Sequence, residues 1–131
     1  MSFRKIAIFG VGLIGGSFAL ALKQKLAVAE VVGVGRRRDT LERAQSLGLI
    51  DRIGSDTADA VENADLVLIA APVGQTGALL SAMAPHLPLG TIVTDAGSTK
   101  TDVVDAARAA LGDKIAQFVP GHPIEIGRAH V

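Results

Sequence analysis

The pattern most able to do chemistry is Gly10-Val11-Gly12-Leu13-Ile14-Gly15, set between the apolar run Lys5 to Phe9 and an Ala/Leu-rich stretch from Leu13 to Lys25. Glycine at each interval suits a phosphate. Gly10 permits a tight turn, Gly12 lets backbone approach a pyrophosphate, and Gly15 lets the following helix pack closely on its strand. The pyrophosphate would sit at the N-terminus of the helix opened by Leu13 and Ile14, where free N–H groups and the helix dipole favour negative charge. The motif by itself is weak. It gains force from following a strand, opening a helix and preceding a second apolar run, Val31 to Val34, and in that context it indicates dinucleotide binding.

In such a unit the ribose 2′-hydroxyl of NAD is met by an acidic residue about 20 positions beyond the loop. Here that place is held by Gly35, followed by Arg36, Arg37 and Arg38. A carboxylate that would repel a 2′-phosphate is missing, and guanidinium groups able to pair with one are present. NADP is therefore the expected cofactor, with NAD as the alternative. Arg36 and Arg37 are the expected contacts, because Arg38 should turn away as the next helix begins. The competing reading is a solvated basic turn at a strand end.

Alternating strands and helices must position these residues. Asp39 is a candidate N-cap for a helix to Leu47, stopped by Gly48, and Ile50 to Ile53 is a short strand. A brief helix over Asp56 to Ala64 leads into Leu66 to Ala70, a strand apolar enough to be buried on both faces. Thr76 to Met83 reads as a helix, Thr91 to Thr94 as a strand, Lys100 to Leu111 as a helix, and Ala116 to Val119 as a sixth strand. Such alternation predicts an α/β fold of Rossmann type, doubly wound, with a mostly parallel sheet and helices on both faces.

Composition agrees with one domain of this class: 49% of the 131 residues are apolar and only 3% aromatic, which suits aliphatic strands under Ala-rich helices. Basic and acidic residues balance at 13 each, so charge gives no reason to expect nucleic acid or an anionic membrane as partner. The absence of cysteine excludes disulfides, thiolate nucleophiles and zinc–thiolate clusters. A cytoplasmic location and no metal are expected. A secretory signal is mimicked by Arg4 and Lys5 ahead of the apolar run Ile6 to Leu22, but Gly10, Gly12, Gly15 and Gly16 disfavour one continuous apolar helix there.

Four blocks together carry a family resemblance: Gly10 to Ser17 (GVGLIGGS), Leu66 to Val73 (LVLIAAPV), Thr94 to Lys100 (TDAGSTK) and Gly121 to Ile124 (GHPI). In this order they resemble the nucleotide-binding domain of prephenate and arogenate dehydrogenases, from about Lys5 to Ile124, within a domain expected over residues 1–124. The resemblance implies an NAD(P)-dependent oxidoreductase of tyrosine biosynthesis, which oxidatively decarboxylates prephenate to 4-hydroxyphenylpyruvate or arogenate to tyrosine. It further implies that His122 hydrogen-bonds the substrate hydroxyl and helps to accept its proton, a role that neutral imidazole suits. Ser98 would orient the same group, Gly97 would let backbone approach, and Ala71, Pro72 and Val73 would line the cofactor pocket. Asp95 is expected to support its loop.

In that family a helical C-terminal domain forms the homodimer and supplies a substrate-binding arginine, and neither has a counterpart in this chain. A fragment limited to cofactor binding is expected, with dimerisation only in the full-length protein. The last seven residues, Glu125 to Val131, depart from the family pattern and are what GAG ATC GGA AGA GCA CAC GTC encodes. That string resembles a short-read sequencing adapter, so 125–131 is expected to be a non-native tail. Two other readings of the glycine loop are a reductase of the β-hydroxyacid dehydrogenase type and a non-catalytic nucleotide-sensing module. The blocks holding Ser98 and His122 argue against both.

Overall fold

The first strand, β1 (Ser2–Phe9), runs into helix α1 (Leu13–Lys25), and β2 (Ala27–Val34) returns parallel to β1, in register from Ser2 opposite Ala27 to Phe9 opposite Val34. Helix α2 (Arg38–Ser46) leads to β3 (Arg52–Ile53) beside β2. The chain then crosses back: α3 (Thr57–Val61) precedes β4 (Leu66–Ile69), which pairs with the other side of β1. Helix α4 (Val73–Met83) and a 3-10 turn (Ala84–His86) are followed by β5 (Ile92–Asp95), and β6 (Phe118–Val119) closes this half. The computed structural model describes residues 2–10, 13–25, 27–70, 73–95 and 118–119.

Every pairing in the sheet is parallel, and the strand order is β3-β2-β1-β4-β5-β6. This is the doubly wound order, in which the chain builds outward from β1 and then reverses direction. The reversal falls between β1 and β4, and in open α/β sheets ligands bind beyond the carboxyl ends of the strands at such a point.

Side chains alternate between the two faces of each strand, so one apolar run supplies two cores. On one face Ala7, Phe9, Val32, Val67, Ile69 and Val93 pack with Ala60 and Val61 of α3 and Leu80 and Met83 of α4. On the other, Ile6, Ile8, Val31, Leu66 and Leu68 pack with Ala19 of α1 and Leu41 and Ala44 of α2. Helices therefore cover both faces, as the alternation predicts. All four residues of β4 are buried, which accounts for its unbroken apolar sequence.

Several element bounds differ from expectation. β1 ends at Phe9 and α1 starts at Leu13, both as expected, but β1 begins at Ser2 rather than Lys5. β2 begins at Ala27 rather than Val31, because Glu30 lies in the strand opposite Lys5 despite its charge. α2 starts at Arg38, so Asp39 is not its N-cap. The capping position falls to Arg37, which makes no side-chain cap bond, and Asp39 sits in the first turn, where its charge suits the helix dipole. α3 is capped by Asp56, whose Oδ1 accepts from Asp59 N–H at 2.8 Å. α4 starts at Val73, three residues before the predicted Thr76. The predicted helix Lys100 to Leu111 and the segment Glu125 to Val131 lie outside the described residues. No helix among the described residues is long and apolar enough to cross a membrane.

Candidate nucleotide-binding site

The strand ends at this reversal are tied level by backbone bonds. Gly10 N–H donates to Val34 O at 2.7 Å and Ala70 N–H donates to Phe9 O at 2.7 Å, so β1, β2 and β4 finish together. Gly10 has φ of 89°, a left-handed conformation that an L side chain adopts only with strain. This is a backbone conformation of the kind that glycine supplies at a turn. α1 begins with Leu13, Ile14 and Gly15 in helical conformation and carries no acidic residue in its first turn. Its N-terminal N–H groups thus meet no carboxylate of their own helix, which suits an incoming anion.

A close approach that the motif did not single out is made by the next glycine, Gly16. At Gly16 an added Cβ would lie 3.1 Å from Leu49 Cδ1, so a larger residue there would press on the chain ahead of β3. The sequence signal was available, since Gly16 extends the motif by one position.

At the end of β2, Gly35, Arg36, Arg37 and Arg38 are all exposed. They are not equivalent. Arg38 belongs to α2 and its Nε donates to Glu42 Oε1 at 3.2 Å, one helical turn on. Arg37 forks onto Asp39, with Nη2 to Oδ2 at 3.0 Å and Nε to Oδ1 at 3.4 Å. That hydrogen bond from Arg37 holds the Asp39 carboxyl below its ordinary range, helped by the backbone N–H of Thr40. Among the described residues Arg36 has no ion-pair partner. Three exposed guanidinium groups thus follow the carboxyl end of β2.

On the other side of the reversal Val73 opens α4, four positions beyond the end of β4. Asp95 ends β5 at the same edge of the sheet with only 2% of its surface exposed, immediately ahead of the segment holding Gly97 and Ser98. Gly12, Ala71, Pro72, Gly97, Ser98 and His122 lie outside the described residues.

The chain matches the family model described as prephenate dehydrogenase, nucleotide-binding domain, over residues 18–129. A cyclohexadienyl dehydrogenase of Zymomonas mobilis is 39% identical over 122 residues, which are 93% of this chain and 41% of that protein. A prephenate dehydrogenase of Aquifex aeolicus, crystallised with hydroxyphenyl propionate and NAD+, superposes with a TM-score of 0.82 at 30% identity, over 95% of this chain and 43% of that one. A Synechocystis arogenate dehydrogenase superposes with a TM-score of 0.78 at 31% identity, over 91% of this chain and 40% of that one. The chain spans less than half the length of each of these relatives. With the glycine turn at the switch point of a doubly wound sheet and a family match over most of its length, the chain belongs to the prephenate dehydrogenase family and corresponds to its nucleotide-binding domain.

Proposed function

We propose that this domain binds NADP in preference to NAD and forms the cofactor half of a prephenate or arogenate dehydrogenase. The observation that carries the reading is the left-handed turn at Gly10, placed at the β1/β4 switch point beside a β2 end that offers guanidinium groups and no acid at Gly35. The pyrophosphate meets the N-terminus of α1, over Gly12, Leu13, Ile14 and Gly15, while Arg36 and Arg37 meet the 2′-phosphate. Ala71, Pro72 and Val73 line the pocket beyond β4, and Gly97 allows close approach beyond β5. The Aquifex relative is crystallised with NAD+, so the NADP preference rests on Gly35, Arg36 and Arg37 alone.

A bound nicotinamide cofactor would supply the hydride acceptor for oxidation at the ring carbon bearing the hydroxyl, with loss of carbon dioxide and aromatisation of the ring. His122 hydrogen-bonds that hydroxyl through neutral imidazole and takes up its proton as general base. Ser98 orients the same hydroxyl, and Asp95, buried at the end of β5, supports the loop that carries it. Turnover of a small cyclohexadienyl substrate and homodimer formation are proposed for the whole protein, and cofactor binding for this chain.

Two measurements test the reading. Calorimetric titration of the chain should give a lower Kd for NADP than for NAD, and tighter NAD binding would overturn the cofactor preference. In the chain joined to a family second domain, His122→Asn should abolish prephenate oxidation and leave cofactor affinity unchanged. Full activity in that variant would overturn the role of His122.

A further inference from the structure

We propose that Asp39 weakens this domain's selection for a 2′-phosphate by holding Arg37 in a fork that a phosphate would otherwise occupy; the inference rests on the nucleotide-binding reading above. A guanidinium presents its donors in a planar fork that fits a carboxylate and a phosphate alike, so the two anions compete for the same N–H groups. In this chain the carboxylate competitor is built in. Arg37 takes an extended backbone, φ −102° and ψ 108°, at the position just before α2, and two residues later Asp39 accepts from both its Nη2 and its Nε.

The neighbouring arginines show what the fork withholds. Arg38 is engaged along α2 by Glu42, whereas Arg36, the first residue beyond Gly35, has no ion-pair partner among the described residues. Arg36 is therefore poised to meet a phosphate directly, while Arg37 must first leave Asp39. The Asp39 charge adds to the effect, since a carboxylate in this turn repels an incoming phosphate. Both members of the pair are well exposed, 77% for Arg37 and 71% for Asp39. A solvated pair of this kind is weak, so it tempers selectivity without abolishing it.

The test compares two ligands that differ only by the phosphate in question, 2′,5′-ADP and 5′-AMP, titrated calorimetrically at low salt into the 131-residue chain. Asp39→Asn should raise the ratio of their association constants about two- to fivefold. The double variant Arg37→Ala/Asp39→Asn should lose that gain, because the gain needs the released guanidinium. Arg36→Ala should remove most of the wild-type ratio. If Asp39→Asn leaves the ratio unchanged, or if the gain survives without Arg37, the inference is overturned. If the wild-type chain shows no preference for 2′,5′-ADP but Asp39→Asn acquires one through Arg37, the inference stands and the wild-type NADP preference fails. If neither shows a preference, both fail. Equal melting temperatures of wild type and Asp39→Asn confirm that the fold is retained in the comparison.

Discussion

The two edges of the sheet are held by different means. At the amino edge three strands begin beside a polar side chain that bonds to a neighbouring backbone. Asp51, ahead of β3, accepts from Val31 N–H at 2.8 Å, and Asp65, ahead of β4, accepts from Arg4 and Lys5 N–H at 2.7 and 3.2 Å. Thr91, ahead of β5, donates its buried hydroxyl to Ala64 O at 2.6 Å. At the carboxyl edge the strand ends of β1, β2 and β4 are joined backbone to backbone, and exposed arginines follow β2. Side chains tie strand to strand at the amino edge, whereas at the carboxyl edge the backbone levels the strand ends and the exposed arginines pair only locally, Arg37 with Asp39 and Arg38 with Glu42. Open α/β sheets place their ligand sites on this second edge.

The largest effect that separates the edges is expected from Gly10→Val. A β-branched residue forced into left-handed backbone costs about 1–2 kcal/mol, and the displaced turn should lower dinucleotide affinity by about tenfold or more. Thermal melts and cofactor titrations should register both losses. Asp65→Ala makes the opposite demand. It removes the acceptor of two backbone N–H groups and should cost about 1–2 kcal/mol in urea unfolding, with cofactor Kd unchanged. Thr91→Val should cost about 1 kcal/mol by the same assay, again with cofactor binding intact.

The smallest expected effect is a pH dependence away from both edges' backbone ties. Ser55 N–H and the Arg52 guanidinium hold the Asp59 carboxyl below its ordinary range. A carboxyl whose folded pKa is depressed contributes stability that is present above its unfolded pKa and is lost as pH falls through the folded one. The stability difference between wild type and Asp59→Asn should therefore shrink as acid approaches and passes the carboxylate range. A difference that stays constant as pH falls through and below that range would show that the ion pair carries none of it.

Local pattern was enough for much of the carboxyl edge. Gly10 and the span of α1, Leu13 to Lys25, follow from glycine spacing and an Ala/Leu helix, because both are local properties of the chain. The amino edge was less legible. Asp51, Asp65 and Thr91 bond to residues 20 or more positions away, and nothing in their own neighbourhood announces the partner. The early start of β2 is hidden for a related reason: Glu30 interrupts the apolar run, and parallel pairing with β1, at Ala27, Val28 and Glu30, makes this stretch a strand. The residue type of Asp39 fits a cap, but α2 starts one residue earlier and the Arg37 fork claims its carboxylate. In α4, Gly74 and Gly77 lower helix propensity at the start, and packing against the core prevails. The strand order depends on crossovers between distant elements, which the alternation of elements allows but does not specify.

The carboxyl edge of this sheet is expected to hold the cofactor. Backbone amide shifts of the chain titrated with NADP test it directly. Saturable changes concentrated at Gly10, Gly35, Arg36, Arg37 and Ala70, with Lys5, Asp51 and Asp65 unmoved, are the expected result. Changes centred on the amino edge, or none that saturate, would contradict it.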